Sequence, residues 1–195
     1  MGALNLIVRG EPSTVAVGGS LVSINSGFRA NLLAETLDRR DARGRRDLLM
    51  CWFAKGGELR EDAARDPYRA LAAACEWHDA AWGLMSYGMP GRGRASRRRV
   101  FDWDADAAAV ACDFERAYGI DLTDPSTQMH WYRFMTLFSG LLRTEESLCR
   151  QAVAARSPLS GKRSKAERDA HEALSRAWAL PPTEAELREA ARREF

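Results

Sequence analysis

Residues Met129 to Leu142 constrain this chain most. Read as a helix, the stretch places Trp131, Tyr132, Phe134, Met135, Leu137 and Phe138 on nearly every side. A helix that is apolar all round is stable in water only when other elements enclose it, so it is predicted to be the central core helix. Its neighbours also read as helices. Phe28, Leu32, Leu33 and Leu37 fall at helical spacing, and Leu48 to Phe53 is a short apolar run stopped by Gly56-Gly57. Between them, Arg39 to Asp47 is charged, contains Gly44 and reads as a turn. Asp66-Pro67 is a helix start, because the Asp side chain accepts from free N–H groups and proline fits the first helical position. That helix carries Leu71, Cys75, Trp82 and Met85 and is expected to end near Gly88 and Pro90.

The two ends of the chain differ from this pattern. The first 25 residues read as strands, with Thr14 to Val17 and Leu21 to Ile24 flanking Gly18-Gly19. Paired glycines supply the positive φ angles of a tight hairpin. A lone hairpin is marginal in water, so this one must lie on the helices or extend a partner's sheet, and its edge could join neighbouring copies by strand addition. Residues 88–99 hold three glycines, a proline and five arginines, and read as a flexible basic linker. Beyond it, Asp102, Asp104 and Asp106 suit the positive end of a helix that presents Val110, Phe114 and Tyr118 on one face. Asp124-Pro125 repeats the Asp-Pro start ahead of the core helix, and Glu145 to Ala155 reads as a further helix. Arg163 to Leu180 reads as a charged amphipathic helix, and Thr183 with Glu186 forms a capping box for a last one. The expected fold is mainly α: a compact helical domain over residues 1–156 with a short N-terminal β-hairpin, then a C-terminal helical extension over residues 157–195.

A chain of 195 residues buries roughly 70% of its unfolded surface, so the core needs no metal or disulfide to hold it. The 29 basic and 27 acidic residues nearly cancel, giving no global pull towards nucleic acid or membrane. The start of the chain has no basic segment followed by an apolar one, and position 6 is Leu where myristoylation wants Ser or Thr. The apolar region from Ala70 to Met89 carries Glu76, His78 and Asp79, which excludes a membrane span. The expected location is the cytoplasm.

Chemistry-bearing patterns are sparse. Cys51, Cys75, Cys112 and Cys149 contain no CxxC pair and read as buried small hydrophobes. His171-Glu172 lacks the second histidine of HExxH, and Ala107 stands where a calcium loop after Asp102 needs glycine. Gly91-Arg92-Gly93 has neither a preceding strand nor a following lysine, so it does not cradle phosphate. No cofactor, metal or catalytic residue is expected, and the chain reads as a binding protein rather than an enzyme. The candidate partner-binding residues are Arg92, Arg94, Arg97, Arg98 and Arg99 of the linker, with Trp77, Trp82, Trp103 and Trp178 as aromatic anchors. The arginine run would serve an acidic protein surface or, in the alternative reading as an accessory protein, nucleic acid phosphates.

Several stretches agree in order with one family. They are Arg97-Arg98-Arg99, Val100-Phe101-Asp102-Trp103, Tyr118-Gly119-Ile120-Asp121-Leu122, His130-Trp131-Tyr132-Arg133-Phe134, Leu137 to Leu141 and Trp178-Ala179-Leu180-Pro181. With the hairpin, Ile24-Asn25 and Phe28-Arg29, the chain resembles the phage "gene product fifteen" family over about residues 10 to 182. The family is encoded in the tail modules of long-tailed phages and prophages, between tail-tube and tape-measure genes. The resemblance implies a tail-assembly chaperone in the host bacterial cytoplasm, with the tape-measure protein and other tail proteins as partners, and self-association along the client. This chain departs from the family in its heavy use of arginine and alanine and in the helix after Pro182.

Overall fold

The computed structural model describes residues 3–84, 99–183, 186–187 and 191–192. The order of elements is α1 (Ala3–Arg9), β1 (Thr14–Val17), β2 (Ser20–Ser23), α2 (Phe28–Thr36), α3 (Ala42–Phe53), β3 (Ala54–Lys55), β4 (Glu58–Leu59), α4 (Glu61–Arg65), α5 (Pro67–Trp82), α6 (Ala107–Tyr118), α7 (Trp131–Leu141), α8 (Leu148–Arg156) and α9 (Lys165–Ala177). The fold is mainly α with a short N-terminal hairpin, as the sequence predicts.

Helix α7 is the core helix. Trp131, Tyr132, Phe134, Met135, Phe138 and Leu141 are all buried. The Phe134 ring stacks with Phe28 of α2 at 5.4 Å, Phe114 of α6 at 4.9 Å and Trp131 at 5.6 Å. Two buried polar tips on α7 find partners on α5: Tyr132 Oη donates to the Trp77 carbonyl at 2.7 Å, and Trp131 Nε1 to the His78 carbonyl at 3.3 Å. Aromatic bulk thus meets no unpaired donor, the condition for burying such groups cheaply.

The hairpin forms as expected, with φ of 57° and 90° at Gly18 and Gly19. Its ladder pairs Val15 with Val22 and Val17 with Ser20, and Val15, Val17 and Val22 are buried on the side that meets α5. Five boundaries differ from the sequence reading. Residues 3–9 are helical rather than strand, since no glycine or proline interrupts them before Gly10. Gly56-Gly57, expected only as a helix stop, turn a second hairpin of two residues per strand, too short to show as an alternation. The charged stretch before α3 is a turn only as far as Asp41. The Asp41 carboxylate accepts from the Arg43 and Gly44 amides and starts the helix there. The Asp124-Pro125 pair does not start α7. Asp124 accepts instead from Ser126, and His130 is the N-cap, its Nδ1 accepting from the Tyr132 amide at 3.1 Å. Ser147 caps α8, which therefore begins later than Glu145.

Gly44 lies inside α3 although glycine weakens a helix. A Cβ there would sit 2.0 Å from the Asp38 carbonyl oxygen, so the close approach of the preceding turn demands it. Helix α9 opens with a capping box between Ser164 and Glu167 and packs on α8. Thr183 and Glu186 also exchange the expected capping-box bonds. No helix among the described residues is long and apolar enough to cross a membrane.

Candidate protein-docking site

Helices α2 and α6 both rest on α7, and a groove of about 430 Å³ opens between them. Phe28, Leu32 and Leu33 of α2 form one wall, and Ala107, Val110 and Ala111 of α6 the other. The small alanines of α6 leave the space that a larger side chain would close. Trp103 lies at the groove between them. Its ring meets Phe101 at 4.9 Å, Phe138 at 5.0 Å and Phe134 at 5.9 Å, so the surrounding aromatics hold it in place. Leu33 is 54% exposed, an aliphatic side chain held at a concave apolar surface.

Arg29 fixes one rim. Its guanidinium donates to the carbonyls of Leu122 at 3.0 Å, Asp124 at 2.6 Å and Thr127 at 2.5 Å, and sits 4.6 Å from the centre of the Phe28 ring. The adjoining backbone is crossed by two more bonds, Phe28 N–H to Met129 and Trp131 N–H to Ser26. Leu122 and Thr123 are thereby held at the edge of the groove.

The residues singled out from the sequence are placed as follows. Trp103 lines the groove. Trp82 touches Trp103 at 6.0 Å and donates to Glu35 at 2.6 Å. Trp77 is only 7% exposed; its ring lies against Tyr132 and His130, and its Nε1 donates to the Pro12 carbonyl. Trp178 is half-buried far along the chain, where its carbonyl accepts from Arg156. The structure therefore brings Trp82 and Trp103 together, and occupies Trp77 inside the core. Arg92, Arg94, Arg97 and Arg98, and with them nearly all of the expected linker, lie outside the described residues. Arg99 is engaged within the fold: it pairs with Asp102 at 2.6 Å, donates to the Pro181 carbonyl and lies 3.6 Å from Glu186.

Three polar clusters escaped the sequence reading. Asp106, expected to cap α6, makes no cap bond. Its two oxygens accept from Arg156 at 2.7 and 2.8 Å, and the same guanidinium reaches the carbonyls of Val100 and Trp178. Of the three aspartates, Asp102 organises the turn, accepting from the Asp104 and Ala105 amides. Asp113 is fully buried on α6 and accepts from Ser147 Oγ and from the Leu148 and Cys149 amides, closing the N-terminus of α8. Burial pushes its pKa up, but the Cys149 and Leu148 amides and the Ser147 hydroxyl outweigh burial and hold it below the ordinary carboxylate range. His78 is buried between Trp131, 5.0 Å away and nearly parallel, and Trp52. Arg39 Nη2 lies 3.1 Å from His78 Nδ1, which faces Asp79 at 3.3 Å, and Arg39 donates twice to Asp79. Burial raises the Asp79 pKa, and the bonds from His78 and Arg39 more than reverse that. No spacing rule links partners as far apart in sequence as Asp106 and Arg156, Asp113 and Ser147, or Arg39 and Asp79, so these three pairings could not be found in the sequence.

The thiols of Cys51, Cys75 and Cys149 are pushed up by burial, Cys149 further by Asp113, which keeps them protonated and poorly nucleophilic. Among the described residues no group of three or more His, Cys, Asp or Glu side chains is placed to hold a metal ion.

The family model described as "Bacteriophage Gp15 protein" matches residues 83–180, half of the chain. The matched region contains α6, α7, α8 and α9, whereas the sequence resemblance extends from about residue 10. No curated protein and no solved structure matches the chain. On the extent of that match, the chain belongs to the Bacteriophage Gp15 protein family.

Proposed function

We propose that this chain is a non-catalytic phage tail-assembly chaperone. It acts in the host cytoplasm and shields an amphipathic helix of the tape-measure protein until tail-tube subunits replace it. The observation that carries the reading is the α2–α6 groove: a preformed apolar trough lined by Leu32, Leu33, Val110 and Ala111. Apolar side chains spaced along one face of a client helix fit such a trough, the helix-in-groove mode of recognition. Leu33 is the accessible anchor point. Its replacement by glutamate puts a charge into the trough while changing only an exposed position, where substitutions have small effects on the fold.

The test is co-expression with the tape-measure protein of the same phage or prophage. The tape measure is expected to stay soluble and co-purify with the wild-type chain, and to aggregate with Leu33→Glu. A tape measure equally soluble with and without the chain refutes the reading.

A further inference from the structure

Residues 12–28 form a run of 17 without one charged side chain, in a chain that is 29% charged. The run contains the hairpin. Natural edge strands are guarded against pairing by lysine, proline or an inward charge, and β2 has none of these. Leu21, at its centre, is 76% exposed.

The ladder identifies which backbone groups face outward. The Ile24 amide donates to the Ser13 carbonyl, so residues 13 and 24 form a hydrogen-bonded pair. Such pairs alternate along an antiparallel ladder, which makes Val15–Val22 and Val17–Ser20 bonded pairs and leaves Ala16–Leu21 and Thr14–Ser23 non-bonded. The N–H and C=O of Leu21 and Ser23 therefore point away from β1. No described residue bonds the main chain of Leu21 or Ser23 on that side, while the next outward amide, that of Asn25, is taken by the Trp52 carbonyl at 2.7 Å and ends the open stretch.

We infer that β2 is a self-association edge, pairing antiparallel with β2 of a second copy about a two-fold axis normal to the sheet. Leu21 lies opposite Ser23 of the copy, and Ser23 opposite its Leu21. This register uses the outward N–H and C=O of both residues in both chains, giving four main-chain hydrogen bonds. Centring the axis on Leu21 instead would set Ser23 against Gly19, whose φ of 90° takes it out of line. In the chosen register Val22 lies across from Val22 of the copy, but each is already buried within its own chain, so the pairing there is between main chains only. On the other face the two Leu21 side chains are diagonal neighbours, within reach of each other. No like charges meet, because the strand carries none. A second copy satisfies the outward groups of Leu21 and Ser23, and the result is a four-stranded sheet. Two four-residue strands bury less than the roughly 1,200 Å² of a standard stable interface, so the dimer forms and dissociates with concentration.

The experiment uses the full chain alone, without tape measure, so it is independent of the client reading. Sedimentation velocity from micromolar to millimolar concentration is expected to show monomer passing to dimer. Leu21→Lys, which installs the missing guard, and Ser23→Pro, which deletes one outward N–H but no β1–β2 bond, remain monomeric with unchanged helical circular dichroism. Hydrogen exchange reads the register. Leu21 and Ser23 amides gain protection as concentration rises, while Ser20 and Val22 are protected throughout. A wild-type chain that is monomeric over the whole range overturns the proposal, as does a Leu21→Lys chain that dimerises equally well. Full protection of Leu21 and Ser23 in dilute monomer also overturns it, since the edge is then covered from within the chain.

Discussion

Arg156 and Asp106 carry a large single-residue stake in the fold. Their bidentate pair is almost fully buried, and Arg156 also ties the Val100 and Trp178 carbonyls together. Removing one member of a buried pair strands the other charge, a loss of about 3–5 kcal/mol, whereas exchanging both for apolar residues of similar volume is close to neutral. Urea unfolding is expected to show Asp106→Ala strongly destabilised and Asp106→Leu/Arg156→Met largely restored. If both variants lose stability equally, the carbonyl bonds matter more than the ion pair. His130 carries a pH-dependent share. Its Nδ1 must keep a lone pair for the Tyr132 amide, while Nε2–H donates to the Pro12 carbonyl. Burial lowers its pKa against the opposing influence of Glu11 and the Pro12 bond. A histidine whose folded pKa is depressed contributes stability that is present above its unfolded value of about 6.5 and lost as pH falls through the folded value. The free energy of unfolding is expected to decline through that acidic window in the wild type. His130→Asn, which caps without titrating, shows a shallower decline; an identical slope in the two proteins removes His130 from the account.

Element by element, local chemistry was legible where it is written in adjacent residues. Asp66-Pro67 starts α5, with Asp66 accepting from the Arg69 amide, and Gly18-Gly19 turn the hairpin, both as read from the sequence. The aromatic run announced α7 as the core. Legibility failed where an element's limit is set by something distant. Asp124-Pro125 has the same signature as Asp66-Pro67, but its carboxylate is taken by Ser126 and Arg29 holds its carbonyl, so the chain turns instead. The α2–α6 groove was invisible for the same reason: its walls are about 75 residues apart in sequence, and only α7 beneath them brings them together. Gly44 shows the element scale most sharply, since it reads as a helix breaker and is in fact a point of close packing. Gly44→Ala is expected to cost about 1–3 kcal/mol, as overpacking does, despite alanine's better helix propensity. A thermal midpoint equal to or above wild type for this variant refutes the close approach.

In the whole molecule, the residues matched to the family supply one wall of the groove and residues outside the match supply the other. Helix α6 lies within 83–180, and α2 does not. The proposed docking surface is therefore joint property of the two halves of the chain. The proposed β2 edge lies in the same unmatched half. A dimer formed through it carries two grooves, and two grips on one long helical client bind with an effective concentration that a single grip lacks. Weak pairing in the absence of client then becomes tight assembly along it. Arg29 gives this arrangement a last property. Each of its three bonds to the 122–127 segment ends on a main-chain oxygen. A clasp of that kind is blind to what the clasped residues are. The lip of the trough can vary in side chains among related phages while keeping its shape, which makes it the place where preference for one client over another can change at least expense to the scaffold.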